Sequence, residues 1–245
     1  MKIGIIGFGR LGRLIAKQLV KDAEVLVFDV ANYKSETKKI GAKWATLDEV
    51  CACPIVIPFV PISSFESVIK EIAPKLKAKT LVIDVCSVKE LPVQIMKKYL
   101  AKNIYILGTH PMFGPDSARL TLYGAKIILS KVRLPEKIYQ GIKGYLMSHG
   151  LHVIEASPKL HDQQVVRSLT LTHFIGRSLV EFGAEDLMID TKGYRRLMKI
   201  LETVINDSWQ LFQDMNHYNP YAKKMRKDFV KAMKKIDERV DPQKN

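Results

Sequence analysis

Apolar residues in the first half of the chain fall into short, nearly unbroken runs, with the polar residues gathered between them. KIGIIGF, EVLVFDV, PIVIPFV, KTLVIDV and NIYILGT are apolar at consecutive rather than alternate positions. That is the pattern of strands buried on both faces, as in a parallel sheet. Between them, GRLIAKQLVKD, SSFESVIKEIAPKLK and VKELPVQIMKKYL repeat their apolar residues at three- and four-residue intervals, with charges on the other face. These are the marks of amphipathic crossover helices. Alternation of this kind implies a parallel sheet covered on both faces by helices, with right-handed connections. GAKIILS and LHVIEAS add two further expected strands around the helix-like PEKIYQGIKGYLMSHG.

The strand signal stops near Pro158. HDQQVVRSLTLTHFIGRSLVEF, TKGYRRLMKILETVINDSWQLFQDMNHY and the basic tail are helix-like throughout. The expected fold class is therefore α/β: a Rossmann-type doubly wound parallel sheet over residues 1–156, followed by an all-α domain over residues 157–245. A helical module of that size buries limited apolar area alone. A homodimer through the C-terminal helices is the expected remedy.

Composition narrows the class. With 245 residues, 47% hydrophobic and 26% charged, the chain is expected to be globular rather than disordered. Met1 leads straight into a strand-like run without a secretory leader, and no segment reaches the roughly 18 uninterrupted apolar residues of a membrane span. A cytoplasmic protein with no membrane partner is expected. Cys51, Cys53 and Cys86 are too few for a disulfide framework and lack the ligand spacing of a zinc site, so no metal is expected. Part of the net charge of +14 lies in PYAKKMRKDFVKAMKKIDERVDPQKN, read as the solvated face of an amphipathic helix with a frayed end. No nucleic-acid-binding motif accompanies it. A positive field that gathers anionic small molecules is the simpler use.

Residues 7–12, GFGRLG, follow the first strand and open the first helix, which gives this G-x-G-x-x-G string its meaning. Gly7 serves the tight turn, Gly9 the approach of a pyrophosphate and Gly12 close helix-to-strand packing. Phe8, Arg10 and Leu11 between them, and Val60 and Pro61 at the end of the third run, are expected to line the cofactor. Asp29 ends the second strand, where an acid binds ribose hydroxyls and repels a 2′-phosphate. NAD is therefore favoured, with NADP possible given Asn32 and Lys34 just downstream.

Functional side chains concentrate on loops beyond the C-terminal ends of such strands. Two groups are expected there: Ser87 and Lys89 in DVCSVK, and His110 in GTHPMFGP, after the strand IYILG. His110 is either a catalytic imidazole or a strand-end cap. Ser87 is either a site residue, also touching cofactor, or the N-cap of the helix starting near Lys89.

GFGRLG, DVCSVKELP, THPMFGP, HDQQVVRSLTLTH and TKGYRRL resemble, in order and spacing, the prephenate and arogenate dehydrogenases of tyrosine biosynthesis. THPMFGP with IDTKGY and NDSWQLF is most similar to the plant-type arogenate branch. The resemblance implies NAD(P)-dependent oxidative decarboxylation of a cyclohexadiene, by a chain with no attached regulatory or mutase domain. It implies that His110 is the base for the ring hydroxyl and that Ser87 orients it or the substrate. His173 is implied to lie near the substrate, with Thr170 beside it, although a core histidine is the other reading. His161 either shares the work or merely begins a helix. Arg195 in GYRR, or Lys192, is the implied carboxylate anchor. Asp207 in INDSW is the candidate group favouring the ammonium of arogenate over the keto group of prephenate. The rival readings are a β-hydroxyacid dehydrogenase or pyrroline-carboxylate reductase relative, and a nucleotide-sensing regulator. DVCSVK and THPMFGP together argue against the first, and the lack of a nucleic-acid motif against the second.

Overall fold

The computed structural model describes residues 1–116, 118 and 121–240; the expected frayed end, 241–245, lies outside the described residues. The chain divides into two compact units, Met1–His161 and a second beginning at Asp162.

In the first unit, β1 (Lys2–Ile6), β2 (Glu24–Phe28), β3 (Lys43–Trp44), β4 (Ile55–Pro58), β5 (Leu81–Asp84), β6 (Tyr105–Pro111), β7 (Lys126–Arg133) and β8 (His152–Glu155) form one sheet. Their order is β3-β2-β1-β4-β5-β6-β7-β8. Each expected run becomes a strand; β3, two residues long, is additional. The helices are α1 (Arg10–Leu19), α2 (Lys34–Lys39), α3 (Leu47–Cys51), α4 (Ile62–Ile72), α5 (Glu90–Tyr99) and α6 (Glu136–Ser148). The short α2 and α3 span too few turns to show a periodic stripe. α3 is instead set by a capping box, in which Thr46 and Glu49 each accept the other's backbone N–H.

The sheet departs from the expected all-parallel form at one place: β7 runs antiparallel to β6. Parallel neighbours need a crossover, and α1, α4 and α5 supply those of β1 to β2, β4 to β5 and β5 to β6. Between Pro111 and Lys126 no helix is found among the described residues, so the chain doubles back. α6 then restores a parallel crossover to β8.

Apolar clusters anchor the two ends of the sheet. Ile5, Val25 and Val27 close on Ala16 of α1, with Phe8 and Ala42. Leu81, Leu107 and Leu129 close on Tyr139 of α6. Connection direction reverses between β1 and β4, which opens a crevice beyond the C-terminal strand ends.

The second unit follows from α7 (Pro158–Val165), within which the division falls. Val166–Thr170 takes π-helical form and leads directly into α8 (Leu171–Phe182). The stretch 191–218, expected to be helical throughout, is two helices, α9 (Lys192–Val204) and α10 (Trp209–Tyr218). Polar N-caps mark the starts: Thr191 accepts from Tyr194 N–H and Ser208 from Leu211 N–H. α11 (Ala222–Val240) carries the basic amphipathic sequence. Among the described residues no helix is long and apolar enough to cross a membrane.

Candidate active site

The glycine loop has the geometry that its spacing asks for. Gly7 has φ of +97°, open only to glycine at low cost, and a Cβ there would lie 2.3 Å from the Phe59 carbonyl oxygen. A Cβ on Gly12 would lie 2.4 Å from the Gly7 carbonyl oxygen, so the loop and α1 touch backbone to backbone. Gly9 differs: nothing lies within 4 Å of where its Cβ would be. It is also the N-cap of α1 and, having no side chain, gives that helix no side-chain cap. Open space in front of uncapped N–H groups and a positive helix end fits a pyrophosphate.

Asp29 lies just past β2 and braces this loop. One carboxylate oxygen accepts the Phe8 N–H at 2.6 Å and the other the Ala31 N–H at 2.8 Å. Arg10 is exposed and bidentate on Asp116, at 2.7 and 2.8 Å. Arg13, outside the expected cofactor residues, donates from Nε to the Phe8 carbonyl and stacks over the Tyr33 ring at 4.4 Å. Leu11 is half-buried in the first turn of α1. Val60 follows β4, and Pro61 is the N-cap of α4.

At the end of β5, Lys89, expected among the functional side chains, is instead paired with Asp84. Lys89 Nζ lies 2.5 and 2.6 Å from the two carboxylate oxygens of Asp84, and both side chains are fully buried. Asp84 also accepts the Cys86 N–H at 2.8 Å, and its backbone carbonyl accepts the Thr109 hydroxyl at 2.7 Å. Burial pushes the Asp84 carboxyl up, against the pull of Lys89. These bonds shape the DVCSVK loop and tie it to β6. Ser87 is not a helix cap, because Lys89 holds that position for α5. The Ser87 hydroxyl oxygen is buried in the loop, with no hydrogen-bond partner among the described residues.

His110 is placed differently from expectation. It lies within β6, paired with Ile128 of β7, rather than in a loop after the strand. The antiparallel partner explains this, because it carries the ladder through Pro111 before the Pro/Gly-broken segment begins. His110 is 5% exposed, and its Nδ1 lies 2.8 Å from Nε2 of His161, itself 3% exposed. Burial first, then electrostatic repulsion from the side of His161 and Lys89, holds the His110 imidazole well below its ordinary pKa. It is a neutral imidazole at neutral pH. Because β1, β4, β5 and β6 are parallel, the glycine loop, the DVCSVK loop and His110 share one edge of the sheet.

The second unit groups some of the remaining candidates. His173, on α8, is 3% exposed, with Nε2 3.6 Å from a carboxylate oxygen of Asp207, and its Nδ1 is buried without a hydrogen-bond partner among the described residues. Burial lowers its pKa, Asp207 opposing and Arg177 assisting. Arg177 fixes Asp207 through the backbone, donating to the Val204 and Asp207 carbonyls at 3.1 and 2.5 Å. Thr170 is buried and closes the π segment, a local rewinding often found at functional positions. Lys192 and Arg195 stand exposed on the first turn of α9, and Arg195 Nε lies 3.2 Å from Asp190.

Residues 14–154 match the family model described as prephenate dehydrogenase, nucleotide-binding domain, and residues 178–245 the one described as TYRAAT1-like, C-terminal domain. Arogenate dehydrogenase 2, chloroplastic, of Arabidopsis thaliana is 33% identical over 232 residues, which cover 91% of this chain and 65% of the relative. Arogenate dehydrogenase 1, chloroplastic, of the same plant is 32% identical, over 96% of this chain and 38% of the relative. The chain thus spans less than two thirds of either plant protein. The crystal structure of prephenate dehydrogenase from A. aeolicus, in complex with hydroxyphenyl propionate and NAD+, superposes with a TM-score of 0.78 at 21% identity, over 97% of this chain and 90% of that one. That likeness is one of fold and agrees with the sheet described above. With the nucleotide-binding model matched over more than half of its length, the chain belongs to the prephenate dehydrogenase family.

Proposed function

We propose that the chain catalyses the NAD(P)-dependent oxidative decarboxylation of arogenate or prephenate. The observation that carries this reading is a buried, neutral imidazole, His110, on the same sheet edge as an uncapped glycine-loop helix N-terminus.

In this reaction the hydroxyl-bearing ring carbon gives up a hydride, the opposite ring carbon loses carbon dioxide, and the ring becomes aromatic. A bound nicotinamide cofactor supplies the acceptor for the hydride. His110 accepts the hydroxyl proton as the hydride departs. It returns that proton to the phenolate oxygen once carbon dioxide has gone, so no net proton is consumed. The depressed pKa of His110 keeps a lone pair available at neutral pH. Ser87 supplies a hydroxyl for orienting His110 or the substrate, and among the described residues that buried hydroxyl has no hydrogen-bond partner.

Gly7, Phe8, Gly9, Arg10, Leu11 and Gly12 form the cofactor cradle, with Val60, Pro61 and Ser87 beside it. NAD is the favoured cofactor because Asp29 sets a carboxylate beside the loop, and NADP is the alternative. In the second unit, His173, Thr170 and Asp207 are the candidate substrate contacts. Asp207 favours the ammonium-bearing substrate, arogenate. Lys192 and Arg195 remain the candidate carboxylate anchors, with Arg195 the better suited by its planar fork. Phe182 at the end of α8, and Met188 and Ile189 between α8 and α9, are largely exposed apolar side chains in the second unit, which supports a homodimer through the C-terminal helices. Light scattering across micromolar concentrations tests this, and a monomer throughout rejects it. In this proposal the chain acts on a small molecule in the cytoplasm, without a nucleic-acid or membrane partner.

Steady-state turnover of arogenate and of prephenate with each cofactor, for the wild type and His110→Ala, tests the whole reading. Loss of at least about a hundredfold in kcat with cofactor affinity retained supports it.

A further inference from the structure

His161 is the group best placed to control His110. It was open to reading as the first residue of a helix, but α7 begins at Pro158, and His161 N–H already donates to the Ser157 carbonyl at 2.9 Å. Its ring enters the first unit's interior instead. The two imidazoles meet edge-on, with centroids 5.0 Å apart and planes at 64°, and the Nδ1 to Nε2 contact is 2.8 Å.

A contact of that length between two ring nitrogens holds one proton, one ring donating and the other accepting. If His161 donates, His110 must carry its own proton on Nε2, and it offers no lone pair there. If His110 donates from Nδ1, its Nε2 is bare. Only the second arrangement suits a base that receives a proton at Nε2.

Building on the reading of His110 as the base, we propose that His161 is its positioning residue: His161 Nε2 accepts the Nδ1–H of His110 and locks the tautomer whose Nε2 is an open acceptor. The logic is that of an orienting group that fixes an imidazole's tautomer without itself touching substrate. When His110 takes up the hydroxyl proton, the Nδ1–H to His161 bond becomes charge-assisted and shorter in effect. That offsets part of the cost of a positive charge placed in a buried site already facing Lys89. His161 thus acts twice, selecting the tautomer before the reaction and sharing the charge during it.

The test compares wild type, His161→Leu and His161→Gln by ¹⁵N NMR of the ring nitrogens without ligand, and by turnover of arogenate and prephenate with NAD and NADP. The wild type is expected to show His110 protonated at Nδ1 and bare at Nε2. His161→Leu is expected to lose that tautomer preference and roughly tenfold or more in kcat, with KM for cofactor unchanged. His161→Gln, whose amide oxygen can accept the same N–H, is expected to recover most of both. If His161→Leu does not fold, the wild-type and His161→Gln spectra decide. A wild-type His110 carrying its proton on Nε2, or a folded His161→Leu with wild-type tautomer and kcat, overturns the proposal. Full turnover by His110→Ala would instead remove the reading of His110 as base, and the tautomer spectra tell the two failures apart.

Discussion

Lys89 Nζ sits 2.5 Å from one carboxylate oxygen of Asp84 and 2.6 Å from the other, with both side chains wholly buried. Removing one member leaves the other as an uncompensated buried charge, which costs about 3–5 kcal/mol. Lys89→Met is therefore expected to lower stability by about that amount, measured by urea unfolding. Asp84→Asn/Lys89→Met is expected to lose clearly less than the two single variants summed. Additive losses would mean that the pair is not coupled.

The wound sheet was readable because buried parallel strands leave apolar runs that polar helices interrupt. The glycine loop was readable because Gly7, Gly9 and Gly12 have distinct backbone duties. The pairing of Lys89 with Asp84 was not, since an Asp ending a strand looks like an ordinary surface charge until the fold buries it against that lysine. His161 was obscured in the same way, because 51 residues separate it from His110 and only the fold brings the rings together. The antiparallel β7 was missed because a strand's apolar run carries no direction. Helical periodicity likewise did not register the break between α9 and α10, where the Ser208 cap restarts a helix within one apolar stripe.

The glycines separate stability from binding. Gly12→Ala places a Cβ 2.4 Å from the Gly7 carbonyl oxygen, so the loop must shift. A loss of about 1–3 kcal/mol is expected, the range for overpacking, together with weakened cofactor binding. Gly9→Ala meets nothing within 4 Å in the free protein. It is expected to leave Tm unchanged while raising the cofactor Kd, read by fluorescence titration with NAD and NADP. An unchanged Kd for Gly9→Ala would remove that loop from the cofactor site.

The folded-state pKa of His110 lies well below 6.5, held down mainly by burial. The unfolded chain titrates near the ordinary histidine value. Between the two, the unfolded chain binds more protons, so this group's contribution to stability is fully present above about pH 6.5 and is lost as pH falls toward the folded value. His173 is shifted in the same direction. His110→Gln is expected to flatten the fall in unfolding free energy between pH 7 and 5, by up to about 1.4 kcal/mol per pH unit. Equal slopes for the two proteins would place the acid sensitivity elsewhere.

Asp207 lies 3.6 Å from His173 and is partly open to solvent, and its proposed role is to favour the ammonium-bearing substrate. Asp207→Asn is expected to lower kcat/KM for arogenate by roughly tenfold, about 1.4 kcal/mol, and to change that for prephenate far less. An unchanged ratio between the two substrates would remove Asp207 as the discriminating group.

The most direct measurement follows reduced nicotinamide spectrophotometrically on mixing the folded protein with arogenate or prephenate and NAD or NADP, alongside His110→Ala. Cofactor reduction with at least one pair, matched mole for mole by released carbon dioxide and lost at least about a hundredfold in His110→Ala, is the expected result. No reduction with any of the pairs, or full turnover by His110→Ala, would contradict the assignment of His110 as the base of a cyclohexadienyl dehydrogenase.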